Sequence, residues 1–176
     1  IEAHGHFPGS GLSAVAADVN SPPIGDVESI AQVLEKIREL ASRTPDGEWV
    51  VAYGFDDTMI AEKRFVTGDE LDRVSTRHPI YVMHISAHMG VVNRVALQEA
   101  GINEASPDPE GGEIVRDASG RMTGLLKETA HEPLLEMALK FPWRKQLAIL
   151  RAASRDYMSK GVTTAQNGFA LSSQVS

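Results

Sequence analysis

Apolar positions recur along the chain with two periods, and these divide it into helices and strands. Val27, Ile30, Ala31, Leu34, Ile37 and Ala41 recur at helical spacing behind Asp26, a good N-cap, and predict a helix closed by the turn Thr44-Pro45-Asp46-Gly47. Trp49–Gly54 is a run of strand formers and reads as a buried strand. Thr67–Val74 has the shape of a short helix capped by Thr67 or Asp69, and Ile80–Ile85 is a second strand-like run. Ser86–Gly90 breaks that run. Asn93 then opens a helix over 94–100 that Gly101 stops. Glu113–Arg116 and Arg121–Lys127 read as a hairpin across Asp117-Ala118-Ser119-Gly120. Helical pattern returns from Glu128 to Lys140, with Pro133 tolerated in the first turn. A longer helix follows Pro142, with Trp143, Leu147, Leu150, Ser154 and Tyr157 along one face, widened by Ile149, Ala153 and Met158. After Gly161, Val162–Gln166 reads as a strand, and Gly9–Pro23 as a loop. The first and last parts resemble pieces of an α/β unit, and 27–126 a mixed α+β insertion.

Composition narrows the chemistry. The 176 residues are 42% hydrophobic and 23% charged, enough for a packed core without staples. A net charge of −7 with no Lys/Arg stripe excludes a general nucleic-acid binder, and no apolar run has the length of a membrane span. With no cysteine, disulfides and thiolate chemistry are excluded, so any metal must be held by His, Asp or Glu.

The candidate ligands begin at the start of the chain. In Ile1-Glu2-Ala3-His4-Gly5-His6-Phe7, an extended backbone puts His4 and His6 on one face, where two imidazoles suit one metal ion. A frayed end reads equally well from these six residues. Glu128, after Gly124-Leu125-Leu126-Lys127, is a third candidate ligand, although a carboxylate also suits the first turn of the helix that follows. His84 and His88 are four apart among strand formers, and either also reads as a partly buried histidine that holds a loop. His78 and His131 are expected on the surface. Asp56 and Asp57 are a metal or substrate pair, or simply two solvated loop acids. There is no Gly-x-Ser-x-Gly, and Gly111-Gly112 lacks the helix that a phosphate loop needs.

In this order the blocks resemble the amidohydrolase superfamily, in the branch that includes N-substituted formamide deformylase. They are Glu2–Phe7, Trp49–Asp57, Leu71–Ser75 before His78-Pro79, Ile85–His88 before Asn93, Pro107–Gly112, Gly120–Glu128 and Gly161–Thr164. The resemblance implies an α/β fold, a (β/α)8 metal-dependent hydrolase barrel with its site at the carboxyl ends of the strands. It implies His4, His6 and Glu128 as metal ligands, and His88 and Asn93 at the substrate, where Asp56 is expected to join them from its place after a strand. The implied cofactor is a divalent metal, zinc first. The implied reaction is hydrolysis of a non-peptide C–N bond in a small amide-type substrate in the cytoplasm, with no nucleic acid or membrane partner. The family draws two more histidines and an aspartate from later strands, and none is found here. The chain is therefore expected to be part of a barrel, without a catalytic base of its own and inactive alone. Exposed sheet edges would favour homodimers. The competing expectation is a lid or substrate-binding insertion module with no catalysis of its own.

Overall fold

The computed structural model describes residues 1–2 and 5–167. The chain divides into two compact units, Ile1–Val15 with Phe141–Ser176, and Ala16–Lys140. Among the described residues no helix is long and apolar enough to cross a membrane.

In the first unit, Gly9–Ala14 forms a 3-10 helix where a loop was expected, and it packs against the long helix α5 (Trp143–Ser159). Phe7 meets Tyr157 edge-on, with ring centroids 5.5 Å apart. The Glu2 amide donates to the Thr164 carbonyl at 2.8 Å. The expected strand over 162–166 does not form, and an isolated antiparallel bridge between His6 and Asn167 lies just beyond it. The expected face of α5 is also corrected. Ile149 and Ala153 are the positions buried, whereas Trp143, Leu150 and Met158 are exposed. The Trp143 ring is covered by the Arg144 guanidinium instead, 5.2 Å from its centroid.

The second unit is a six-stranded mixed sheet in the order β1-β2-β3-β4-β6-β5. Its strands are β1 (Ala17–Asp18), β2 (Val50–Phe55), β3 (Ile80–His84), β4 (Met89–Val92), β5 (Gly112–Arg116) and β6 (Met122–Glu128). β1, β2 and β3 are mutually parallel, while β4 is antiparallel to both β3 and β6. It follows that β1, β2, β3 and β6 all point the same way. Helix α1 (Ile30–Ser42) lays Ile30, Val33, Ile37 and Leu40 into a core shared with Val50, Ala52, Ile80 and Val82. It begins later than Asp26 predicted, capped by Ser29, because the amides of Val27 and Glu28 are taken by Asn20 and by the Gln32 side chain. Asp26 pairs with Lys36 instead.

The short helix α2 (Gly68–Asp72) has a full capping box between Thr67 and Glu70. Arg64 grips both Glu70 oxygens, at 2.9 and 2.7 Å. The expected break over Ser86–Gly90 overlaps the first two residues of strand β4, Met89 and Gly90. Gly90 lies directly against the Tyr81 ring, where a Cβ would come within 2.5 Å of it, so here glycine serves close strand packing. Asn93 caps α3 (Arg94–Glu99) and is fully buried. Helix α4 (Glu132–Ala138) starts four residues after the predicted Glu128.

Two outcomes follow. Asn93→Ala would orphan two buried amides and two carbonyls, and is expected to cost at least about 3 kcal/mol in urea unfolding. The Arg64 guanidinium, with the Thr67 bonds, holds the Glu70 carboxyl down to about 2. A carboxyl depressed on folding stabilises above its unfolded range near 4.5 and loses that contribution as pH falls toward 2. The urea midpoint should therefore drop between pH 5 and 3, by an amount worth about 1–2 kcal/mol after discounting for the half-exposed arginine, and Glu70→Gln should remove that part of the drop.

Candidate active site

The four strands that run together end in polar groups along one edge of the sheet. β1 ends at Asp18, β2 leads into Asp56 and Asp57, β3 ends at His84, and β6 ends at Glu128. β4 enters from the same edge just after His88. Ligands of open α/β sheets gather at the carboxyl ends of strands, so this edge is where chemistry is expected.

Glu128 sits at the end of β6 with φ +48, in the left-handed region that non-glycine residues rarely adopt. Its amide donates to the His88 carbonyl at 2.8 Å, and its Oε2 accepts from His88 Nδ1 at 2.9 Å. Oε1 makes no hydrogen bond among the described residues, and both side chains are more than half exposed. Glu128 is thus a strand-end carboxylate with one oxygen held by an imidazole. The first turn of α4 is supplied by Glu132 instead.

A second cluster lies at the ends of β2 and β3. The register shifts between Tyr53 and Phe55, where Gly54 takes φ +85, and the chain then turns into Asp56-Asp57. His84 is 9% exposed and packs beside the rings of Phe55 and Phe65. Its Nε2 donates to Asp57 Oδ1 at 3.1 Å, and its Nδ1 meets the Ser86 hydroxyl at 2.8 Å and accepts from the Ser86 amide at 3.1 Å. The His88 amide in turn donates to Ser86 Oγ at 3.2 Å, so one run of bonds joins Asp57 to Glu128. Asp56 Oδ1 accepts from both the amide and the hydroxyl of Thr58, and the hydroxyl bond holds its carboxyl below the usual range.

The other expected site residues separate. His4 lies outside the described residues, and His6 is an exposed residue of the first unit. Asn93 has no polar atom left for a ligand. Its Oδ1 accepts from the amides of Ile80 and Ala96, and its Nδ2 donates to the carbonyls of Ser75 and His78. His78 and His131 are corrected from surface to interior, at 1% and 3% exposure. His78 is taken by Ser75 Oγ and the Thr44 carbonyl. His131 Nδ1 shares a 2.9 Å hydrogen bond with the buried Tyr81 hydroxyl, which fastens the start of α4 to β3. Burial pushes Tyr81 up and His131 down from their ordinary values. The Asp57–His84 and Tyr81–His131 pairs were not anticipated. The signal available for the first was an acid and a histidine each closing an apolar run.

The amidohydrolase family profile matches residues 1–175. N-substituted formamide deformylase of Arthrobacter pascens is 32% identical over 167 residues, which cover 93% of this chain and 30% of that protein. The putative amidohydrolase YtcJ of Bacillus subtilis (strain 168) is 30% identical over 163 residues, with the same shares. An uncharacterized metal-dependent hydrolase from Pyrococcus horikoshii OT3 shares the fold, with a TM-score of 0.61 at 17% identity, over 93% of this chain and 29% of that one. The chain spans about 30% of the length of the curated relatives it matches.

The buried His131 gives a pH dependence of its own. Its ring is depressed below 6.5 on folding, so its contribution is complete above that value and is lost as pH falls through and below it. The urea midpoint of the second unit should fall between pH 7.5 and 5, and His131→Gln should flatten that slope. Tyr81→Phe, which leaves Nδ1 unpaired, should cost about 1–3 kcal/mol at pH 7.5.

Proposed function

The chain belongs to the amidohydrolase family, and from that premise we propose that it carries part of a metal-dependent hydrolase, a (β/α)8 barrel enzyme acting on non-peptide C–N bonds of small amide or formamide-type substrates. The observation that supports this most directly is Glu128. A carboxylate is held at a strand's carboxyl end, in a backbone conformation that costs about 1–3 kcal/mol, with one oxygen on His88 and the other without a hydrogen bond among the described residues. Backbone strain at an acid in this position suits a ligand better than a helix-start residue. Two similar proteins named for deformylation and amide hydrolysis point to the same bond class.

His4, His6 and Glu128 are the residues proposed to hold a divalent ion, zinc first. Two imidazoles and a carboxylate with no cysteine in the chain form a donor set suited to zinc. When bound, such an ion supplies Lewis acidity toward water and toward the amide carbonyl. The chain's own contribution is positional. His88 keeps Oε2 of Glu128 oriented, and the run from Asp57 through His84 and Ser86 fixes the turn that carries His88. His88 and Asp56 are proposed to face the substrate, while Asn93 holds the loop behind them. We assign none of these residues the role of general base, so the chain by itself is expected to bind the ion without turning over substrate. The second unit has a core of its own, which favours one other reading, a substrate-binding module without a metal.

Elemental analysis after gel filtration separates the two readings. Near-stoichiometric zinc or another divalent metal is expected, with one equivalent lost in His4→Ala/His6→Ala and also in Glu128→Ala. Metal content unchanged in both variants, or no metal uptake by the folded chain from buffered zinc, would overturn the assignment and leave the binding module.

A further inference from the structure

We infer that Asp56, Asp57 and His84 form a second divalent-cation site, at the carboxyl ends of the adjacent parallel strands β2 and β3. It uses none of the three ligands proposed above and stands independently of that reading. One donor atom from each of the three residues falls within 4.8 Å of the others. Zinc bonds of about 2.0–2.1 Å at the tetrahedral angle put neighbouring donors about 3.3 Å apart. His84 Nε2 and Asp57 Oδ1 already lie 3.1 Å apart.

The imidazole separates this cluster from a patch of surface acids. It is nine-tenths buried, and its place is set by packing against Phe55, with ring centroids 6.4 Å apart, and Phe65, at 5.5 Å. Ser86 provides the oriented partner that a ligating histidine needs on its other nitrogen. In the ion-free form Nε2–H faces Asp57. On binding, the neutral ring gives up the Nε2 proton to solvent and gains one at Nδ1, where Ser86 Oγ accepts it at 2.8 Å. That exchange forfeits the Ser86 amide bond to Nδ1 and leaves the net proton count unchanged. Asp56 spends Oδ1 on Thr58 and retains Oδ2 for the ion. The nearby cation, Lys63, donates its ammonium to the Thr58 carbonyl. Two carboxylates and one imidazole form a borderline oxygen and nitrogen set, suited to Zn2+ or Mn2+ with coordination positions left open to solvent or substrate.

The test is a Zn2+ titration of the chain, following the ring nitrogens of 15N-labelled histidines by NMR, with thermal melts to confirm folding. His84 Nε2 is expected to move to a metal-bound shift and to saturate. Asp57→Asn, which is isosteric, should weaken that response at least tenfold. His4→Ala/His6→Ala should leave it in place while removing the other site. If the His84 ring stays unperturbed at excess Zn2+, or if its response is the same in Asp57→Asn, the site does not exist. Metal uptake confined to the His6 ring would sink this inference and leave the proposed hydrolase intact.

Discussion

The amide of Asn93 is the joint on which the candidate site depends. It lies where β3 begins and β4 ends, and its four hydrogen bonds tie the entry to β3, the exit from α2 and the first turn of α3 to one buried point. Clamped there, β3 and β4 run antiparallel in a fixed register, Tyr81 opposite Val92 and Met83 opposite Gly90. A shift of one residue would turn His84 to the other face of the sheet. The open end of the same pair carries His84, Ser86 and His88. A residue without a free polar atom thus sets the position of those that have one.

The amphipathic stripe of α1, the Thr67 capping box and the start of α3 at Asn93 were legible because each is written in residues close along the chain. What stayed hidden is non-local. Gly90 looks like a break until the Tyr81 ring is seen lying against it. His78 and His131 look like surface polar residues until their partners appear, the Thr44 carbonyl 34 residues away and the Tyr81 hydroxyl 50 residues away. The pairing of His88 with Glu128 spans 40 positions. For the long helix α5 the stripe of apolar residues was visible, while which of them are covered was not, since that depends on what packs there. The family resemblance supplied Glu128, which spacing alone could not have chosen over a helix-start carboxylate.

Their hydrogen-bond partners sort the histidines of the second unit by use. His78 and His131 are interior groups whose ring nitrogens are spent on hydrogen bonds that fasten the fold, and burial pushes the His131 ring down from its ordinary value. His131 costs stability when the pH drops. His84 and His88 stand at the sheet edge, each beside a carboxylate, Asp57 and Glu128 respectively. Their partners Asp57 and Glu128 remain reachable from solvent.

This division explains why the sheet tolerates strain at one edge. Ala87 and Glu128 both take left-handed backbone angles, and both belong to the turn and strand end that bring His88 against Glu128. Conformations of this kind persist only where the surroundings over-determine them. Here the surroundings are the β4–β6 ladder, with Met89 opposite Lys127, and the backbone bond from the Glu128 amide to the His88 carbonyl. A helix-start glutamate would need none of this, since any relaxed conformation would serve it. The ladder therefore does more than close the sheet, because it holds one carboxylate in an orientation that it would leave if released.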